Sequence, residues 1–520
     1  MKRIIISLSA CWVLLVAHHF TAQAQEANNP LLYSNQAIQF SDIGVSHDPV
    51  TLVMPGVAFS GGFGSYLDNP ASAALFDESF TSIGLSFRNV NERADYLGNS
   101  MSFDDNQTGL SNLGFVYRFP TVRGSLVVGA GYSQHSFHNR AMSVSGRNEL
   151  STITDMFKMP GSPYGDIAWS AFAIDEDVMV DPVSGDEIFW DESIFRVGFP
   201  QFGDYAGVRQ EGEILQRGYG GDYSAFLATE FLQNLMVGVS VGIRSGRFSY
   251  ERQFIEIDEF DDYNSDFIET DDGGTDIDTI LLTDEIRSDY LSFSSRIGAI
   301  YRIGNLVNIG ASYTLPSRLS VTEEFDARIA STFDNGIIFE DELLNEYTYS
   351  VSSPGRVGLG AAITGLGGLS ASFSAEYVDH GNTRLHFDAG EFEQQREENQ
   401  YIEDTYGKVW NLRGGLSYDF NNLFSLRAGY GHRPSRFRDI EIDRHQISAG
   451  AGVALGSNAR LEIGAQYTMW DEDQSVVYEY GDLDYSVLPD QAPVTYIGTE
   501  FAAREVNRLQ VMATLRLMFR

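Results

Sequence analysis

Leu369-Ser370-Ala371-Ser372-Phe373-Ser374-Ala375-Glu376-Tyr377 alternates without a fault. Leu369, Ala371, Phe373, Ala375 and Tyr377 fall on one face of an extended chain, and the three serines and Glu376 on the other. Only a strand repeats its side chains every two residues, so this stretch is a β-strand with one apolar and one polar face. The same scheme returns at Leu461, Ile463, Ala465, Tyr467 and Met469 against Glu462, Gly464, Gln466 and Thr468. It closes the chain, where Leu509, Val511, Ala513, Leu515, Leu517 and Phe519 oppose Gln510, Thr514 and Arg516.

Working outward, such segments occur fourteen times, near 81–90, 110–119, 125–134, 221–231, 234–256, 287–303, 306–327, 345–362, 367–386, 408–420, 423–433, 444–454, 459–478 and 506–519. Their connections alternate in length. Pro120 to Gly124, Leu232-Gln233, Gly304-Asn305, Gly365 to Gly367, Asn421-Asn422 and Gly456 to Asn458 are short and carry the Gly, Asn and Pro that tight hairpins need. Between them lie long connections near 91–109, 135–220, 257–286, 328–344, 387–407, 434–443 and 480–505, which hold most of the 72 acidic residues. Tight turns at one end and long loops at the other describe an all-β, 14-stranded antiparallel transmembrane β-barrel with long acidic extracellular loops.

A soluble sandwich or propeller also alternates. Two features favour the membrane. The apolar faces end in aromatics such as Tyr301, Tyr313, Tyr377, Tyr418, Tyr430 and Phe519, as interfacial girdles do. The opposite faces carry Gly, Ser, Asn, Gln and Arg, and after residue 24 lysine occurs only at Lys158 and Lys408. With 35 Lys+Arg against 72 Asp+Glu, the net charge of −37 argues against nucleic acid as a partner. The 35 Phe and 26 Tyr argue against a disordered chain.

Residues 1–24 read as a signal peptide. Lys2 and Arg3 precede an apolar run from Ile4 to Ala17, and Ala22-Gln23-Ala24 supplies a cleavage site before Gln25. Leu8-Ser9-Ala10-Cys11 also resembles a lipobox, but the apolar run continues past Cys11. Residues 25–80 alternate poorly and hold Pro55, Gly56, Gly61, Gly62, Gly64 and Pro70. They are expected to form a plug inside a barrel spanning 81–520, because fourteen strands enclose more space than wall side chains fill.

No catalytic set emerges. Gly238-Val239-Ser240-Val241-Gly242 matches G-x-S-x-G, yet strand alternation runs straight through it, where a nucleophile elbow needs a turn into a helix. His135 and His138 lack nearby ligands for zinc, and no acidic window has EF-hand spacing. Neither metal nor cofactor is expected. The dense acids at 258–285 suit a solvated loop, with a divalent-cation site or cation bridging to lipopolysaccharide phosphates as the alternatives.

A family resemblance adds to this. Val57-Ala58-Phe59-Ser60-Gly61-Gly62, then Asp68-Asn69-Pro70-Ala71, then Phe76-Asp77 before the first strand, resemble the hatch of the FadL long-chain fatty-acid and hydrocarbon transporters. The triplet Asn69, Pro70 and Ala71 is the most specific part. Ile309 to Tyr313 with Pro316, Pro354 to Gly360, and Leu426 to Tyr430 resemble barrel strands of that family, while 135–286 matches poorly.

The resemblance implies passive uptake of hydrophobic small molecules across the bacterial outer membrane: capture at extracellular loops, hatch movement, then lateral release near the third strand. It makes Met156, Phe157, Met159, Trp169, Phe172, Phe189 and Trp190 capture candidates, and loop self-packing is the competing role. Gly129 and Gly131 become lateral-gap candidates. Lumen-phase Arg296, Arg413, Arg427 and Arg516 are candidates for a carboxylate head group, or for pairing with acids such as Glu376 and Glu462. A monomer is expected, with outer-membrane lipid and lipopolysaccharide as its surroundings. A FadL-like barrel serving protein secretion, and an adhesive surface protein, are the alternatives.

Overall fold

The computed structural model describes residues 32–44, 48–159, 162–180, 187–195, 197, 207–263, 268–270, 273–420 except 388–391, 423–484 and 494–519. The signal-peptide reading lies outside these residues.

Fourteen antiparallel wall strands close on themselves. They are β1 (Ser79–Tyr96), β2 (Asn99–Phe119), β3 (Leu126–Phe137, continued by Arg140–Asn148), β4 (Val208–Leu232), β5 (Leu235–Ile257), β6 (Ile277–Ile303) and β7 (Val307–Thr314, continued by Ser317–Phe333). After them come β8 (Ile338–Ser353, continued by Arg356–Leu366), β9 (Leu369–Asp379), β10 (Lys408–Phe420), β11 (Phe424–Arg433), β12 (Arg444–Ala454), β13 (Ala459–Asp484) and β14 (Val494–Phe519). Closure is by β1 against β14, from Ser79↔Phe519 to Asp95↔Ala503. A closed sheet leaves no unpaired edge, which is what a bilayer demands of strands.

Several expected long connections are strand instead. β1 and β2 pair up to Tyr96↔Asn99. The tip is Leu97-Gly98, with φ of 46° and 81°, the positive pair of a two-residue hairpin turn. β7 and β8 likewise pair up to Thr332↔Ile338. β6 is 27 residues long and β13 and β14 are 26 each, against 11 for β9 and 10 for β11. About 10 residues cross a bilayer, so the tall strands stand far beyond it. At 91–109 and 328–344 the acids expected on loops lie mostly on these projecting strands, among them Glu92, Asp95, Asp104, Asp105, Glu340, Asp341 and Glu342. In the connections at the tips of these strands, Asp261, Asp276 and Asp334 bring one carboxylate oxygen each within 4.8 Å of one another.

The end with short turns, where Phe519 lies, is called lower here. In the lower half, apolar side chains point outward and small or polar ones inward. Phe293 is 63% exposed while its neighbour Ser294 is 2% exposed. Ile83, Leu85, Val239, Val241, Ile297, Leu416 and Ile447 continue this exposed apolar belt, which water would not tolerate and lipid does. The barrel is therefore membrane-spanning. Above the belt, Arg247 and Asp289 form an exposed ion pair, Nε to Oδ1 at 2.9 Å, and the polarity of the two faces inverts. Phe248, Tyr250 and Phe254 now point inward from β5, and Glu251 and Gln253 point outward.

Residues 32–44 and 48–76 pack against inward-facing residues of the wall. Helix α1 (Tyr33–Ser41) occupies the upper part, and a short helix (Ser65–Asp68) and a 3-10 turn (Pro70–Leu75) the lower part. Helix α2 (Phe392–Thr405) stands over the short strands and touches α1, with Glu398 accepting a 2.9 Å bond from Ser34 N.

Candidate functional site

Residues 48–76 pack against the inner face of the lower wall. Asp48 organises the first turn: its Oδ1 accepts from Val50 N and Thr51 N, and its Oδ2 from Gly64 N at 2.6 Å. Asp68 Oδ2 accepts from Gly56 N at 2.7 Å. Asn69 is the hub. Its Oδ1 caps the 3-10 turn through Ala71 N at 3.0 Å. Its Nδ2 donates to Val57 O at 2.7 Å and, at 3.3 Å each, to Ala299 O on β6 and Ala311 O on β7. The Asn69-Pro70-Ala71 triplet thus joins the two lobes of the segment to the wall.

Wall glycines make this contact possible. A Cβ on Gly238 would lie 2.4 Å from the Pro70 carbonyl carbon, and one on Gly310 would lie 2.2 Å from Val57 O. Both neighbours are backbone, which cannot swing away. Side chains complete the fit. Tyr66 stacks on Phe226 at 4.4 Å and its hydroxyl meets Ser224 Oγ at 2.8 Å. Burial of an aromatic of this size contributes about 1.5–3 kcal/mol.

The lumen arginines are engaged in the same construction. Arg296 Nη2 lies 2.6 Å from Asp222 Oδ2. Arg413 donates to Thr51 O and lies 3.8 Å from Asp68. Arg427 Nη1 lies 2.6 Å from Glu462 Oε2, and Arg516 donates to Gly61 O. These side chains hold wall to wall or wall to segment, and none stands open to a head group.

Above α1 opens a cavity of about 710 Å³. Its walls are the inverted, apolar inner faces of the tall strands: Tyr250, Ile286, Phe325, Tyr349 and Val477, with Tyr33 from α1, Phe387, and Met156, Met159 and Tyr164 from the β3–β4 connection. Its polar edge is a buried network. Arg252 makes two bonds to Asp284, Nε–Oδ1 at 2.9 Å and Nη2–Oδ2 at 2.7 Å, and Tyr164 donates its hydroxyl to Asp284 Oδ2 at 2.7 Å. Glu323 borders the cavity, accepting from Ser288 Oγ at 2.9 Å. Burial pushes its carboxyl up to about 7. Glu256, nearby on β5, is pushed up to about 7 by burial as well.

The capture candidates divide. Met156 and Met159 line the cavity. Phe157 is packed in the core beneath it, in contact with Tyr164. Trp169 points to solvent at 48% exposure, and Phe172 packs on Phe339 instead. The side chains of Phe189 and Trp190 lie outside the described residues. Most of the lining comes from strand residues that the sequence reading did not single out. Their signal was present, as inward-phase aromatics continuing past the ten residues a membrane needs.

Gly129 and Gly131 do not mark a gap. Both sit in unbroken ladders, Gly129 between Val116 and Phe226 and Gly131 between Gly114 and Ser224. Their small size serves contact: a Cβ on Gly131 would meet Phe63 at 2.7 Å. A seam in the hydrogen-bond ladder begins just above. The β2–β3 ladder stops at Asn112↔Ser133, and among the described residues Asn99–Ser111 pairs only with β1. β3 itself breaks at His138-Asn139. Two arginines bridge this seam. Arg217 from β4 reaches across to Asp105 on β2, Nη2–Oδ1 at 2.7 Å. Arg88 from β1 bonds Gln134 Oε1 at 2.6 Å and lies 3.4 Å over the Phe137 ring.

Ser240 is a buried inward residue in mid-strand, paired on both sides, with no elbow and no histidine bonded to it.

No family model matches the sequence, and no curated protein matches it. Among solved structures, a FadL homologue from Pseudomonas aeruginosa superposes with a TM-score of 0.50 at 13% identity, covering 92% of this chain and 99% of that one. The chain has the FadL fold. The toluene transporter TodX of P. putida aligns at 12% identity over 92% of this chain and all of its own, with a TM-score of 0.49. The toluene transporter TbuX of Ralstonia pickettii aligns at 13% identity over 91% of this chain and 98% of its own, with a TM-score of 0.44. At these identities the likeness concerns the FadL-type architecture.

Proposed function

We propose that the protein is an outer-membrane channel for passive uptake of hydrophobic small molecules. The observation that carries this is a vertical order: an apolar cavity of about 710 Å³ above, a lumen filled by residues 48–76 below, and a wall seam between β2 and β3 above the filled part. A ligand captured in the cavity meets a closed floor and leaves sideways. Apolar burial supplies the binding energy, at about 25 cal/mol per Å². The seam opens at the top of the lipid-facing belt, so the ligand never crosses the polar head-group layer unshielded.

In this reading the amino-terminal segment is a hatch, and the Asp105–Arg217 pair closes the seam until it moves. The test is uptake of labelled long-chain fatty acid and alkane by cells with and without the protein, and by cells carrying Phe325→Ala with Met156→Ala. Deletion is expected to slow uptake, and the cavity variant to slow it several-fold. Unchanged uptake in the deletion strain sinks the reading.

A further inference from the structure

Beside α1, lower than the apolar cavity, lies a second chamber of about 130 Å³ with an opposite character. Arg140, Arg436, Arg444, Arg504 and Arg508 line it, with Asp42, Glu92 and Glu472 as its acids. The acids are already committed. Arg504 holds both Glu92, at 2.6 Å, and Glu472. Arg433, just outside the lining, holds Asp42 at 2.8 Å. Six arginines against three carboxylates leave three positive charges. Any protonation of His138, which also lines the chamber, adds to that excess.

The uncompensated arginines are Arg140, Arg436, Arg444 and Arg508; among the described residues none has a carboxylate within ion-pair distance. Arg444 and Arg508 lie over the same Trp470 ring, 4.8 Å and 5.2 Å from its centre. Two cations on one indole repel each other, and aromatic attraction offsets this only in part. The Nε atoms of Arg140, Arg436, Arg504 and Arg508 are buried without a hydrogen-bond partner. A buried donor left unpaired is costly, and so is a buried charge. One bound oxyanion answers both costs.

We propose that this chamber is a head-group site for a phosphoryl-type dianion, and that the molecule taken up is an amphiphile with such a head on an apolar tail. A single carboxylate would leave two positive charges over; a dianion leaves one. Guanidinium forks match the several oxygens of a tetrahedral oxyanion, each fork binding two. The tail has a place. Trp470 and Glu472 on β13 line the chamber, and Val476 to Glu479 on the same strand line the apolar cavity. Glu472 and Val476 are roughly 13 Å apart at the rise of a strand. Helix α1 spans both, with Tyr33 at the cavity and Gln39 at the chamber. Phe137 to Arg140, where β3 breaks, form the chamber wall next to the seam.

The tail half of this inference rests on the uptake reading, and the experiment separates the two. Calorimetric binding to the full chain in lipid nanodiscs compares dodecyl phosphate, dodecanoate, dodecanol and inorganic phosphate. Dodecyl phosphate is expected to bind at least ten-fold tighter than dodecanol and tighter than dodecanoate. Arg444→Gln with Arg508→Gln is expected to erase that margin while leaving dodecanol binding as it was. Arg508→Lys keeps the charge and loses the planar fork, and should cost dodecyl phosphate roughly three- to ten-fold; it serves if the double variant fails to fold. Equal binding of phosphate, carboxylate and alcohol overturns the inference. Inorganic phosphate bound by the same arginines with no gain from the tail assigns a free anion and overturns the amphiphile. Arginine-dependent binding of dodecyl phosphate with none of dodecanol supports the chamber and counts against apolar capture.

Discussion

β5 passes through both halves of the barrel, and the two halves obey opposite rules. Below, Val239, Val241 and Ile243 face out while Ser240, Gly242 and Arg244 face in. Above, Phe248, Tyr250 and Phe254 face in while Arg247, Glu251 and Gln253 face out. The pleat never changes phase; only the solvent outside does. Lipid around the lower half draws apolar groups outward, and the lumen is left to glycine, hydroxyls and paired charges. Water around the upper half sends apolar groups inward, where they form a cavity. The lower lumen accordingly receives the segment, and the upper one leaves a cavity.

The comparison breaks most severely if the seat of the segment is removed. Gly238→Leu drives a side chain into the Pro70 backbone. The expected result is a folded barrel with a dislodged segment, read as a large rise in ion conductance in planar bilayers. Conductance at the wild-type level would show that another part closes the lumen.

A charge placed on the outer face sharpens the contrast between halves. Val241→Arg meets lipid and should cost about 2–4 kcal/mol, whereas Gln253→Arg, in the same phase on the same strand, meets water and should cost almost nothing. Unfolding of both variants from liposomes in urea reads the difference. Equal losses would place the belt elsewhere.

Asn69→Ala removes the cap on Ala71 and leaves Val57 O without its donor. A cost of about 1–3 kcal/mol is expected, confined to the segment, since a buried unpaired carbonyl costs that much. Hydrogen exchange should speed up at residues 56–75 and stay unchanged in the β5 and β6 ladders.

The smallest effect concerns pH in the upper half. Glu256 and Glu323 are held near 7 by burial, above their ordinary 4.5. The folded form therefore keeps protons that the unfolded chain gives up between about pH 4.5 and 7, and stability falls as pH rises through that window. A melting temperature a few degrees higher at pH 5 than at pH 8 is expected, with a shallower slope in Glu256→Gln. An unchanged slope in that variant would assign the dependence to other groups.

Much of this was legible in the sequence. Period-two alternation and turn chemistry are local, so fourteen strands, their direction and the lipid-facing phase follow from the residues alone. Asn69-Pro70-Ala71 was visible as a motif, though not as the hub joining Val57 to β6 and β7. Strand height is not legible at 91–109 and 328–344, because acidic residues look like loop, whereas on a strand standing in water most of them form the outer face. The strand phase marks Arg296, Arg413, Arg427 and Arg516 as lumen arginines, all of them engaged, but does not single out Arg140, Arg444 and Arg508. Which arginine meets an acid depends on strands far apart in the chain, such as Arg504 with Glu92.

The sequence by itself determined the barrel, because each strand's two faces are written in neighbouring residues. Only the tertiary structure decided where the β2–β3 ladder stops, since no single strand records what its partner does. It also decided which charges remain unpaired: pairing is a property of closure, made when the first strand meets the last.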